Sequence, residues 1–222
     1  TSKSKDSLNA LYNQVYCLLK MYNFKKNKFC IVRKAVDKNI INFVYNYFLI
    51  KEQIAKTLFD TKYISPFNQD FGVFNDGQVE RAYAHYADVA METLLLMLHS
   101  TVEKETNLKL NPSYSYARNY RTGAVLKKHI DRSQCEISTT MNLGGDSWSI
   151  FLISEKKKVQ VDLKPGDMLI YKGCELKHWR DKFKGDHCAQ VFLHYNNIKS
   201  KVNIYDNRRH VGLPNFFKLN NT

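Results

Sequence analysis

Three side chains define the chemistry this sequence could perform. His129 and Asp131 are separated by one residue, and side chains two apart on an extended strand project to the same face, so an imidazole and a carboxylate can converge on one point. His178 follows 47 positions after Asp131, beyond the segment Pro165-Gly166-Asp167-Met168-Leu169-Ile170-Tyr171. Two imidazoles and one carboxylate on one face of a metal leave three adjacent positions open, the arrangement that serves non-haem Fe(II). Zinc is not indicated. Cys17, Cys30, Cys135, Cys174 and Cys188 stand singly, with no C-x-x-C pair, which fits neither a zinc knuckle nor a disulfide framework. The remaining histidines read as bystanders: His85 and His99 on helix, His194 on a strand with a backbone partner, His210 in a polar tail.

Elements must bring these groups together. After Pro112 the chain turns into short β-rich segments, over 114–120, 134–143, 148–153, 159–163, 168–172 and 188–195, separated by Gly, Asp and Pro turns. Such spacing predicts a β-sandwich or jelly roll. Upstream the pattern is helical. Leu8, Leu11, Val15, Leu18, Leu19 and Tyr22 predict an amphipathic helix over 7–22; Phe29 to Val36 reads as a strand; Asp37 is a good N-cap for a helix carrying Ile40, Ile41, Val44, Phe48 and Ile54. Residues 59–77, with Ser65-Pro66, Asp76-Gly77 and interleaved Phe67, Phe71 and Phe74, predict a long loop with aromatic anchors, expected to act as a lid. Helix is expected again from Gln78 to Thr106, with Tyr83, Val89, Met91, Leu94, Leu95 and Leu98 as its buried stripe. The expectation is one α+β domain over 1–222: mainly helical support over 1–110, a strand core over 111–196 and a tail over 197–222.

Composition bounds the rest. A chain of 222 residues with 44% hydrophobic residues can bury a substantial core, and its longest apolar run, Leu94 to Leu98, is far too short to span a bilayer. The polar stretch Thr1 to Leu8 has no apolar export signature, so a cytoplasmic, reducing location is expected. Lys plus Arg number 34 against 21 acids, a net charge of +13, which favours polyanionic partners. The basic residues are spread along the chain in runs of three or fewer, however, and read first as a solvated surface.

From about Tyr114 to Tyr195 the sequence resembles the 2-oxoglutarate and Fe(II)-dependent oxygenases, nearest to the prolyl 4-hydroxylase-like branch. Tyr120-Arg121-Thr122-Gly123 followed by His129-x-Asp131 is similar to the first half of that pattern, and the Pro165 to Tyr171 segment followed by His178-Trp179 to the second. Cys135-Glu136-Ile137-Ser138 and Gln190-Val191-Phe192-Leu193-His194-Tyr195 resemble blocks found in microbial and viral members. The resemblance implies a double-stranded β-helix with His129, Asp131 and His178 as iron ligands. It implies 2-oxoglutarate and O2 as cosubstrates, ascorbate as an accessory reductant, and hydroxylation of a peptide or amino-acid substrate, by default at proline.

One position departs from the family. Its members carry a Lys or Arg nine to ten residues beyond the distal histidine, paired with the far carboxylate of 2-oxoglutarate; here those slots hold His187 and Cys188. A buried dianion needs a charge-assisted partner. Arg118, on the same strand face as Tyr120, and His187, by spacing, are the candidate substitutes. Tyr120 and Thr140 are candidate hydroxyl donors to the cosubstrate. Arg180 reads as facing substrate or solvent, and Trp148 and Trp179 as wall and core. Two alternatives remain: a nucleic-acid oxidative demethylase, favoured by the charge but lacking that group's Arg-x5-Arg after the distal histidine, and a non-catalytic jelly-roll binding module.

Overall fold

Two aspartates set where the long helices begin. The computed structural model describes residues 22–200; the expected helix over 7–22, apart from Tyr22, and residues 201–222 lie outside them. After a short helix α1 (Phe24–Asn27) and strand β1 (Phe29–Val32), Asp37 accepts from the Asn39 N–H at 2.8 Å and starts α2 (Lys38–Asp60). Its buried stripe is Ile41, Val44, Phe48, Glu52 and Ala55, the three- and four-residue spacing of one helical face. Asp88 caps α3 (Val89–Thr106) through the N–H groups of Ala90 and Met91, and Met91, Leu94, Leu95, Leu98 and Val102 are buried along it. No helix of the described residues is long and apolar enough to cross a membrane.

The expected helix from Gln78 does not form. Residues Ala82–Tyr86 are instead a strand, β3, paired with β2 (Val73–Phe74) and β4 (Leu110–Arg121). Arg81 (φ 60) and Ala87 (φ 49) bracket it in left-handed conformations that a helix cannot pass through, and the Asp88 cap places the helix start seven residues later than Ala82 begins the strand. Tyr83 is buried on β3, packing its ring 5.4 Å from Phe48, and Val89 is 80% exposed. His85 is therefore a strand residue.

The remaining strands are β5 (Leu126–His129), β6 (Ile137–Gly145), β7 (Ile150–Ser154), β8 (Lys157–Val161), β9 (Met168–Lys172), β10 (His178–Arg180) and β11 (His187–Asn197), with a 3-10 turn at Ser133–Cys135. They form two antiparallel sheets, β1-β9-β6-β11-β4-β3-β2 and β5-β10-β7-β8. α2 and α3 pack on the larger sheet, against β6, β4 and β11. This is an α+β architecture with a jelly-roll core and helices on one sheet. Because β6 has helices on one face and the smaller sheet on the other, Ser138, Thr139, Thr140 and Asn142 are all buried despite their polarity. The Pro165-Gly166-Asp167 turn sets the start of β9. Gly166 sits at φ 84, and the buried Asp167 carboxylate accepts from the backbone N–H groups of Lys34 and Lys164, both at 3.0 Å.

Asp88 joins capping to burial. Its carboxylate also accepts from Tyr47 at 2.7 Å, from Lys51 and from His85 at 3.2 Å. Burial alone would raise its pKa, but hydrogen bonds from His85, Lys51 and Tyr47 hold it well below the usual carboxylate range. Asp88→Ala is expected to cost about 2–4 kcal/mol in denaturant unfolding at neutral pH. A depressed carboxylate stabilises the fold above its unfolded pKa of about 4 and loses that contribution as pH falls through the folded value. The gap between wild type and Asp88→Ala should accordingly narrow below about pH 4; a gap independent of pH would contradict the ion-pair account.

Candidate active site

The sheet pairing of β5 with β10 closes the distance between the two halves of the sequence pattern. His129 and His178 are direct cross-strand partners in that pair, with ring centroids 4.3 Å apart. Asp131, just past β5, is held by its own N–H donating to the Gly173 carbonyl at 2.9 Å. Its Oδ1 lies 3.5 Å from His129 Nε2 and 3.4 Å from His178 Nε2. One ligand atom from each of the three residues falls within 4.8 Å of the others, so all three can share one ion.

Their surroundings orient them for a metal. His129 Nδ1 meets the Lys127 carbonyl at 2.7 Å and His178 Nδ1 the Leu176 carbonyl at 2.9 Å. Each ring therefore carries its proton on Nδ1 and turns the Nε2 lone pair inward. Besides Asp131 Oδ1, those lone pairs meet Gln78 at 3.4 Å and the Tyr171 hydroxyl at 3.4 Å respectively. Ser138 donates to Asp131 Oδ2 at 2.6 Å and lies 3.1 Å from His194 Nδ1, which leaves Oδ1 as the ligand oxygen. Burial would raise the Asp131 pKa, yet the neighbouring His129 and His178 hold it well below the ordinary carboxylate range. The donor set and its outer hydrogen bonds fit a divalent first-row metal with open positions.

Gly173 makes room for this arrangement. A Cβ there would fall inside van der Waals contact of Asp131 Oδ2, Ser138 Oγ and the Cys135 carbonyl. Gly173→Ala is expected to push the carboxylate off its position and weaken metal binding by about 10- to 100-fold, the range seen when ligand orientation is disturbed. Iron titration of a folded variant checks it; unchanged affinity would refute the crowding argument.

A cavity of about 410 Å³ adjoins the triad. Its walls include Tyr116, Arg118, Tyr120, Tyr171, Phe192 and the segment Asp76 to Gln78. Phe67, Phe71 and Phe74 do not line it, and Phe67 is 89% exposed. The part of the long loop that reaches the site is its end at Asp76, not the phenylalanine run expected as a lid.

The cation candidates separate sharply. Arg118 faces inward and is buried, but it is already paired with Asp76, and its guanidinium lies 5.0 Å and 5.5 Å from the Tyr116 and Tyr120 rings. Burial would lower its pKa; Tyr120, Tyr116 and Asp76 together raise it. His187 lies away from the cavity, between the Tyr45 hydroxyl at 2.5 Å and Asp186 at 2.9 Å. Arg180 is the residue whose sequence reading needs correction. Being two residues from His178 on β10, it turns between the sheets and is 1% exposed, so it does not face solvent. Its partners are all neutral: the Trp148 carbonyl, Thr140 Oγ1 at 3.3 Å and Gln190 Oε1 at 3.2 Å, while its Nε has none. Burial pulls its pKa below the usual guanidinium value. Thr140 thus sits on Arg180, and Gln190, which has no sequence signal for this role, completes that polar set. Tyr120 lines the cavity with its ring against Trp148 at 4.8 Å; Trp179 stacks on Phe151 at 5.5 Å on the outer side of the small sheet rather than in the core.

No protein-family description and no curated protein sequence matches the chain. Solved structures do. A prolyl-4-hydroxylase from Pseudomonas putida is similar over 78% of this chain and 95% of its own, with a TM-score of 0.56 and 12% identity. A Trichoplax adhaerens prolyl hydroxylase, solved with a hypoxia inducible factor oxygen degradation domain peptide fragment, covers 85% and 92% at TM-score 0.55 and 13% identity. HygX from Streptomyces hygroscopicus, solved with nickel and 2-oxoglutarate bound, covers 79% and 85% at TM-score 0.56 and 12% identity. The fold defined here is therefore that of the 2-oxoglutarate-dependent oxygenases, prolyl hydroxylases among them. Within that fold, this chain carries a His-Asp-His cluster able to hold one metal ion.

Proposed function

We propose that the protein is an Fe(II)- and 2-oxoglutarate-dependent dioxygenase that hydroxylates a peptide or amino-acid substrate, in the manner of a prolyl 4-hydroxylase. The observation that carries this reading is the convergence of His129, Asp131 and His178 within 4.8 Å at a cavity inside an oxygenase fold. Bound iron, 2-oxoglutarate and O2 supply the chemistry: the keto acid is oxidised to succinate and CO2, and one oxygen atom enters a C–H bond of the substrate.

The chain's own residues bind and orient. His129 Nε2, Asp131 Oδ1 and His178 Nε2 hold the metal on one side. Arg180 receives the far carboxylate of 2-oxoglutarate, because it is a wholly buried cation with neutral partners and an unpartnered Nε; a carboxylate there would balance its charge. Thr140 and Gln190 fix the guanidinium for it. Leu126, Ile150 and Phe192 give the cavity an apolar wall that keeps water from the reacting centre. The binding-module alternative gives no account of the tautomer-setting carbonyls on both histidines.

A second reading, nucleic-acid dealkylation, draws on one further observation. On the outer face of the small sheet, Lys128 Nζ lies 4.4 Å over Trp179 and Lys158 Nζ 4.0 Å over Phe151, a pairing of cations and aromatic rings that also suits single strands. A mass-spectrometric turnover screen with capped peptides, free amino acids and alkylated oligonucleotides separates the two. Gain of one oxygen on a peptide or amino acid supports the first; loss of a methyl from an oligonucleotide would replace it with the second.

A further inference from the structure

The turn from β2 to β3 is built as a rigid bracket at the cavity. Asp76 Oδ1 accepts from the backbone N–H groups of Gln78 at 3.0 Å and Val79 at 2.8 Å. Its Oδ2 accepts from the Tyr116 hydroxyl at 2.5 Å and from Arg118. Val79, 1% exposed, is packed beside Tyr120 and Leu126. The bracket therefore cannot swing freely, and what it presents to the metal cluster is the side chain of Gln78.

The orientation of that carboxamide is determined by its neighbours. Arg118 can only donate, and its Nη2 lies 3.1 Å from Gln78 Oε1. The amide nitrogen must then point the other way, toward His129 Nε2 at 3.4 Å. His129 carries its proton on Nδ1, facing the Lys127 carbonyl, so Gln78 donates to the lone pair that a metal would take. Once a metal occupies that lone pair, the amide N–H group at the cavity mouth loses its protein acceptor.

We propose that Gln78 is the substrate-facing specificity residue, its N–H donating to a backbone carbonyl oxygen of the substrate bound at the metal cluster. This rests on the peptide or amino-acid reading above and deepens it, since such substrates carry a carbonyl or carboxylate acceptor on Cα. Arg118 and Asp76 act as positioning residues, holding the amide oxygen and the backbone of the bracket.

Two variants of the full chain, loaded with Fe(II) and 2-oxoglutarate, test this. Gln78→Leu removes the amide; Gln78→Glu keeps its size and its pairing with Arg118 but loses the donor. With the best N-acetylated, C-amidated peptide from the screen, both should raise KM about 10-fold, the loss of one hydrogen bond, with kcat and iron affinity little changed. An unchanged KM, or iron affinity falling in parallel, would overturn the assignment. A second measurement needs no substrate. The Gln78 side-chain amide resonance, assigned by its absence in Gln78→Leu, should broaden away when Mn(II) is loaded and persist with Zn(II). A sharp signal with Mn(II) would place Gln78 away from the metal and refute the proposal. If the wild type hydroxylates no capped peptide, the substrate reading fails separately while the Mn(II) result still judges Gln78.

Discussion

Arg180→Met is expected to weaken 2-oxoglutarate binding by about 100-fold or more while leaving iron affinity intact. The reason lies in what surrounds the guanidinium. It is 1% exposed, and its hydrogen-bond partners, Trp148, Thr140 and Gln190, are neutral. A buried cation without a counter-ion destabilises the fold, and replacing such a charge by an apolar side chain of similar volume is often neutral or stabilising by about 1–4 kcal/mol. The same substitution should thus leave the ligand-free protein as stable as wild type or more so. That pairing of effects distinguishes a ligand-binding arginine from a structural one. Calorimetric titration with 2-oxoglutarate and thermal unfolding of the ligand-free protein read the two quantities. Loss of stability with unchanged 2-oxoglutarate affinity would assign Arg180 to the scaffold. Arg118 gives the contrast: with Asp76 already against it, Arg118→Met leaves a buried carboxylate unpaired and should destabilise the protein by about 3–5 kcal/mol.

His178→Ala is expected to abolish iron binding and with it all succinate formation. His178 is buried, and of its ring nitrogens Nδ1 is held by the Leu176 carbonyl while Nε2 is turned toward Asp131. Truncation opens a small cavity and costs about 1–3 kcal/mol, which a domain of this size should survive. His178→Gln, closer in volume, guards against misfolding as the cause. Circular dichroism and metal analysis on both variants decide: a folded chain that still binds one iron per molecule would show that the three-residue cluster is not the metal site.

The sequence pattern exposed the chemistry more readily than the architecture around it. His129, Asp131 and His178 are legible because the His-x-Asp spacing and the Pro165 to Tyr171 segment ahead of His178 together resemble the oxygenase pattern, and the β5–β10 pairing supplies the meeting point. Strand β3 has little sequence signal because Ala82-Tyr83-Ala84-His85-Tyr86 has no β-branched residue and runs directly into a strongly helical stretch. Arg180 carried a legible signal: the two-residue rule that aligns His129 with Asp131 also aligns Arg180 with His178. Asp76 and Gln78 had no such signal, since their roles depend on Arg118, about 40 positions away, and only the pairing of β3 with β4 brings that stretch of chain to the cavity.

The central claim is that one ferrous ion, held by three side chains, keeps adjacent positions open for a keto acid. Anaerobic titration of the protein with Fe(II) and 2-oxoglutarate, followed by visible absorption, addresses it without any knowledge of the substrate. The account predicts a charge-transfer band that requires both components, saturates at one iron per chain, and is missing with succinate or in His178→Ala. Iron binding with a spectrum indifferent to 2-oxoglutarate would contradict it.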